Sequence, residues 1–137
     1  MRSVLLQLRM TALLAATKRS LRRRDTTATL RRFSGTRRWA SFDADDGLRA
    51  VRRAARALGA NCLSQSVALT VACRRAGLDP ELILGCRRYG DGKWGAHAWI
   101  VLESRVYDPL PSGDHQALAS ISAGTQWVPA PIGRGVN

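Results

Sequence analysis

The run from Cys62 to Gly77, CLSQSVALTVACRRAG, constrains this chain more than any other segment. It is apolar or small around nearly its whole circumference until Arg74-Arg75, and Gly77 supplies a stop. A helix of that composition belongs in the middle of a domain rather than on its surface. Everything else must be arranged around it, and a thiol, Cys62, stands at its first turn.

The segments before it read as helices. Residues 3–17 place Leu5, Leu6, Leu13 and Leu14 on or near one side, and residues 20–33 continue with Leu21, Ala28, Leu30 and Phe33 among five arginines. Neither has enough apolar surface for a core of its own, so both must pack on the remainder or on a partner. Ser34-Gly35-Thr36 reads as a break. Ser41 to Asp46 offers capping carboxylates to a third helix, whose Leu48, Val51, Ala55 and Leu58 form an apolar stripe. Arg49, Arg52, Arg53 and Arg56 fall mostly off that stripe, and Gly59 is its expected stop.

Beyond Pro80 the period changes. Residues 81–86, 95–102 and 105–108 read as three strands, the last two joined by the tight turn Glu103-Ser104. Pro109 and Pro111 end the third. The tail from Ser112 is rich in Gly, Pro and Ala; a short helix at Gln116–Ile121 and a weak strand at Gln126–Val128 are expected there. Helices followed by an antiparallel meander define an α+β domain.

At 137 residues the chain has room for one core. Charge divides it unevenly: residues 1–56 hold 15 Lys/Arg against 4 Asp, a net of +11, whereas residues 57–137 carry only +1. Residues 1–45 are therefore read as a basic helical region and 46–137 as the domain that carries the chemistry. Such a region can meet nucleic acid, an anionic membrane or an acidic protein, or be simply an Arg-rich solvated face. No stretch of about 18 apolar residues is present, which argues against a transmembrane segment. Arg9 interrupts the first apolar run, so an amphipathic helix is expected rather than a signal peptide.

Cys62, Cys73 and Cys86 are odd in number and lack CxxC spacing, which argues for a reducing compartment. With only His97 and His115 beside them, no zinc spacing can be assembled, and no metal or cofactor is expected. Cys73 lies inside the buried helix and Cys86 in a strand, where a cysteine is usually a small core residue. Cys62 differs, because free N–H groups and the dipole at a helix start favour a thiolate. Its backbone amide is also a candidate oxyanion donor.

A base for Cys62 is available in His97, which stands in a strand between Ala96 and Ala98. If Glu103-Ser104 is a two-residue hairpin loop, Leu102 pairs with Arg105 and Trp99 with Asp108. Asp108 then lies diagonally across from His97 on the same face, within side-chain reach. A three-residue loop would put it on the other face. An aspartate there can fix the tautomer of the imidazole and stabilise its protonated form. Trp94 and Trp99 are candidate walls of a substrate pocket, although core packing is the commoner role for either.

Cysteine at a helix start, histidine on a strand and aspartate on the next are the papain and transglutaminase-like order. The run Cys62-Leu63-Ser64-Gln65-Ser66, the helix end Arg74-Arg75-Ala76-Gly77, the strand Leu82-Ile83-Leu84-Gly85 and the motif Ala96-His97-Ala98-Trp99 together resemble a narrower family. That family is the stand-alone leader peptidase of lasso-peptide biosynthesis, and the resemblance covers roughly residues 46–110. Several relatives carry arginine where Gln65 stands here. The resemblance implies a compact transglutaminase-like core, preceded here by the N-terminal helices, and a catalytic triad of Cys62, His97 and Asp108. It implies a cytoplasmic enzyme that cuts a ribosomally made precursor between leader and core, with a preference for threonine next to last in the leader. It also implies two partners, a small leader-recognition protein and a lasso cyclase. The alternatives are acyl transfer by the same triad, as in transglutaminases and arylamine acetyltransferases, and a non-enzymatic basic binding module. No nucleic-acid motif supports the last.

Overall fold

The computed structural model describes residues 2–35, 38–40, 42–109, 114–122 and 127–129. Four helices come first: α1 (Arg2–Leu21), α2 (Thr26–Phe33), α3 (Ala44–Leu58) and α4 (Cys62–Arg75). Five strands follow: β1 (Glu81–Arg88), β2 (Trp94–Leu102), β3 (Arg105–Tyr107), β4 (His115–Ile121) and β5 (Val128–Pro129). They form one sheet in the order β3-β2-β1-β4-β5, with every described pairing antiparallel. The α+β expectation holds. None of the described helices is long and apolar enough to cross a membrane.

The helix starts follow from short polar side chains. Asp25, Asp43 and Asn61 each stand in extended backbone and accept a hydrogen bond from the N–H three residues on, at 2.7, 3.0 and 2.9 Å. Each satisfies a donor that the first turn would otherwise leave open. α3 ends on Gly59, whose φ of 61° is the left-handed conformation that glycine adopts without penalty. That turn brings the chain directly into Asn61 and α4.

α4 is central, as its composition requires: Ser64 through Cys73 are all buried. Its neighbours are α1 and α3 on the helical side and β1 and β2 on the sheet side. One apolar cluster runs through all of them, joining Met10, Leu13 and Leu14 of α1 and Leu30 of α2 to Val51, Val67, Leu69, Leu82, Ile100 and Ile121. Fully burying side chains of this size contributes about 1.5–3 kcal/mol each. The N-terminal helices therefore find their apolar partner within the chain.

The sheet departs from expectation in its second half. Residues 115–121 form strand β4, which pairs with β1, and not the short helix expected over Gln116–Ile121. The alternation His-Gln-Ala-Leu-Ala-Ser-Ile is too short for its period to be decisive, and β1 offers an open edge that decides it. The tail strand is observed as β5; Gln126, where it was expected to begin, lies outside the described residues.

Candidate active site

The hairpin between β2 and β3 sets the site. Glu103 and Ser104 form its two-residue loop, both with positive φ (51° and 64°), as a turn matching the twist of the strands requires. Leu102 pairs with Arg105 and Ile100 with Tyr107. Continuing this register puts Asp108 opposite Trp99 and Pro109 opposite Ala98. Asp108 is thereby brought to the face of His97, and its Oδ1 lies 2.8 Å from His97 Nε2. Both residues are buried.

Pro109 has a second effect. In a two-residue hairpin the closing pair exchanges hydrogen bonds, so every second residue of β2, Ala98 included, aims its backbone groups toward β3. Proline has no N–H to offer the Ala98 carbonyl, and β3 stops at Tyr107. The carbonyl accepts instead from the Ser66 hydroxyl of α4, at 3.0 Å. One turn earlier on the same face of α4, the Cys62 thiol meets the Ala98 amide. The helix thus takes up the peptide group that a longer β3 would have used, and the Cys62 thiol is docked one residue away from His97. Ser66 was read as part of an apolar helix and of the motif that begins at Cys62, with no role for its hydroxyl, which ties this turn of α4 to β2.

The backbone carrying Asp108 is held from the other side. Arg52 of α3 donates through Nε to the Pro109 carbonyl at 3.1 Å and through Nη2 to that of Asp108. Its position off the apolar stripe of α3 placed it with the solvated arginines. No local pattern marks it, because its partners lie 56 and 57 residues away.

Cys62 is half-buried. Burial pushes its thiol up, but the His97 ring and the Ala98 and Leu63 amides more than offset this, and the thiol ends below its ordinary value. Burial opposes charge on His97 as well. The hydrogen bond to Asp108 and the nearby thiol outweigh it and raise the imidazole to about 9. A depressed thiol beside a raised imidazole is the arrangement of a thiolate–imidazolium pair. With Nε2 committed to Asp108, Nδ1 is the nitrogen left to face the thiol; it is buried and makes no other hydrogen bond. As the first residue of α4, Cys62 also has a backbone N–H with no intrahelical acceptor.

The other cysteines have other surroundings. Cys73 is wholly buried and its thiol is pushed up to about 12 by desolvation alone. Cys86 is half-buried on β1, with its sulfur 3.9 Å from the Gln116 carbonyl. Trp99 is buried and stacks on the His97 ring at 5.6 Å. It passes over Gly85, where a Cβ would come within 2.7 Å of the indole and 2.1 Å of the Gln116 carbonyl. Trp94 is half exposed at the start of β2.

The residue that sequence left without a role is His115. The pairing of β4 with β1 puts it opposite Arg87 and brings it to the triad. Its Nε2 lies 2.9 Å from Asp108 Oδ2, and its ring stacks on His97 at 5.0 Å. His97, Asp108 and His115 have one ligand-type atom each within 4.8 Å of one another, a grouping that the missing zinc spacing did not anticipate. The only sequence signal would have been its strand parity, which the helix expected at 116–121 concealed.

Comparison with curated proteins gives no match, and neither does comparison with solved structures. A family model, described as the transglutaminase-like superfamily, matches residues 4–123. The match takes in the N-terminal helices, α4 and the sheet through β4. With cysteine, histidine and aspartate assembled on α4, β2 and the end of β3, the chain belongs to the transglutaminase-like superfamily.

Proposed function

We propose that the protein is a cysteine peptidase that removes the leader from a ribosomally made lasso-peptide precursor. The observation that carries the chemistry is the His97–Asp108 hydrogen bond, with the half-buried Cys62 thiol on the far side of the imidazole. The narrower assignment is supported by the four motifs around Cys62, Arg74-Arg75, Leu82 and His97 that resemble the leader-peptidase family.

In this mechanism the Cys62 thiolate attacks the carbonyl carbon of the last leader residue. The developing oxyanion is met by the free N–H of Cys62 at the start of α4. His97, protonated in the resting pair, gives its proton to the departing amine of the core peptide. Water then attacks the thioester; His97 takes its proton, and the leader leaves with a free carboxylate while the Cys62 thiolate is restored. Asp108 holds the imidazole in one tautomer and balances its charge throughout.

The leader would lie along a cleft of about 300 Å³ beside the start of α4, lined by Asn61, Leu63 and Ser64 and by Lys18 and Arg22 of the helical region; no triad residue lines it, so it adjoins the reacting atoms without containing them. Its cations suit an acidic leader. In this proposal the basic region of residues 1–45 docks leader and recognition protein, the cyclase receives the freed core, and Trp94 borders the pocket.

The experiment is incubation of a precursor with wild type and with Cys62→Ala, read by mass. Free leader and free core from wild type alone are expected. Cleavage by the alanine variant would sink the assignment, and a new amide in place of two fragments would move it to acyl transfer.

A further inference from the structure

The triad touches a fourth side chain that neither the mechanism nor the superfamily match assigns. His115 comes from a different strand, β4, and meets two of the three triad members at once. Its Nε2 is 2.9 Å from the carboxylate oxygen of Asp108 that His97 does not use. The two imidazoles lie nearly parallel, 23° apart with centroids at 5.0 Å, and Trp99 packs against both rings. The His115 side chain is only 13% exposed, so water competes weakly for these contacts.

We propose that His115 is a positioning residue: a neutral imidazole that steadies Asp108 through Oδ2 and flanks the His97 ring, so that the carboxylate presents Oδ1 to His97. This inference rests on Cys62, His97 and Asp108 being the reacting set. The physical reason is the freedom of the aspartate. A carboxylate bonded on one oxygen can still rotate about its χ2, and that rotation would carry Oδ1 away from Nε2. A second contact on Oδ2 restricts that rotation. Arg52 already holds the backbone of the same residue from α3, whereas His115 meets its side chain.

Neutrality follows from the company His115 keeps. Burial disfavours its charged form; Asp108 and Asp114 favour it, while His97 on β2 and Arg87 on β1 disfavour it, and the ring ends below its ordinary value. A charged His115 would compete with His97 for the same carboxylate, whereas a neutral one can share it. At the 2.9 Å approach the Nε2 and Oδ2 atoms are not aligned as a hydrogen bond.

The test reads the thiolate directly and needs no peptide. In a Cys86→Ser background, alkylation of Cys62 by iodoacetamide is followed from pH 5 to 10, with the modified residue located by mass. His115→Phe keeps an aromatic ring without its N–H; His115→Gln keeps an N–H without the ring. With Phe, alkylation at pH 6–7 is expected to fall about tenfold while the rate at pH 10, where the Cys62 thiol no longer depends on the imidazole for its ionisation, stays unchanged. Gln should recover most of the loss. A Phe variant that matches wild type at pH 6–7 would overturn the proposal. So would equal losses in Phe and Gln accompanied by equal drops in Tm, since His115 would then merely fill space. Should neither variant fold, imidazole 15N spectra of the unmodified protein decide: His115 protonated at Nε2 supports the role, and protonation at Nδ1 alone ends it. Because alkylation is independent of the peptide, failure to cleave a precursor would remove the leader-peptidase assignment and leave this result standing.

Discussion

The two ends of α4 carry the same residue in opposite conditions. Cys73, in the interior, is surrounded by apolar side chains and nothing offsets the cost of charging it; its thiol is pushed up to about 12. Cys62, at the N-terminus, also bears a desolvation cost, but an imidazole and two backbone amides face it and the balance reverses. Burial alone therefore does not distinguish a core cysteine from a reagent. The difference lies in whether polar groups converge on the sulfur, and a helix terminus or the end of a neighbouring strand helps because backbone N–H groups are free there.

The largest expected effect comes from removing the reactive end of that contrast. Cys62→Ala should abolish turnover, by at least about a thousandfold, while Cys73→Ala leaves kcat within about twofold. Equal activity in the two variants would erase the distinction. Next in size is Asp108→Asn, which keeps the volume but can present an amide to His97 and favour the wrong tautomer. Its kcat is expected to fall on the order of a hundred- to ten-thousandfold, with KM little changed. Both are read from steady-state cleavage of a precursor.

How much of this could be read without coordinates depends on the range of each interaction. The hairpin geometry of His97 and Asp108 was legible because an 11-residue separation, a two-residue loop and strand parity are enough to derive it. The helix start at Cys62 was legible from the composition of the run that follows. His115, Arg52 and Ser66 were not, although each touches Asp108 or a residue next to Asp108 or His97. Their partners lie 7 to 57 residues away across elements whose relative placement no local pattern encodes, and His115 was further hidden by a strand expected as a helix. The N-terminal helices were legible as helices. That their apolar sides meet α4, and not a partner, is a matter of tertiary fit.

The pH dependence sharpens the contrast further. With the Cys62 thiol depressed and His97 raised to about 9, cleavage should be lost on the alkaline side as the imidazolium deprotonates near pH 9. On the acid side it should be lost below the ordinary thiol range, as the thiolate takes up a proton. His97 also links pH to stability. Its contribution is complete below its unfolded value of 6.5 and is lost as the pH rises through about 9, so wild type should lose more stability than His97→Gln between pH 6 and 10. Denaturant titrations at the two pH values would show it, and equal losses would contradict the raised imidazole.

Smaller effects are expected from the scaffold. Ser66→Ala leaves the Ala98 carbonyl without its donor and loosens the first turn of α4; kcat should fall roughly tenfold with a stability loss of about 1–2 kcal/mol. Cys73→Ala should cost about 1 kcal/mol by chemical denaturation and nothing in alkylation of Cys62. A Ser66 variant with unaltered kcat would mean that Cys62 does not depend on this tie to β2.

The apolar side of α1 has a consequence for how this protein can be divided. Met10 and Leu14 are fully buried in the cluster that also holds Val67 and Leu69 of α4. The basic surface and the thiol are thus two faces of one cooperative unit. A fragment beginning at α3 would lose most of the net charge together with the Met10, Leu13 and Leu14 side of the core, so the two properties are not separable by truncation. Only reversal of surface charges at positions such as Arg19 and Arg23, which are exposed, can separate attraction of a partner from catalysis.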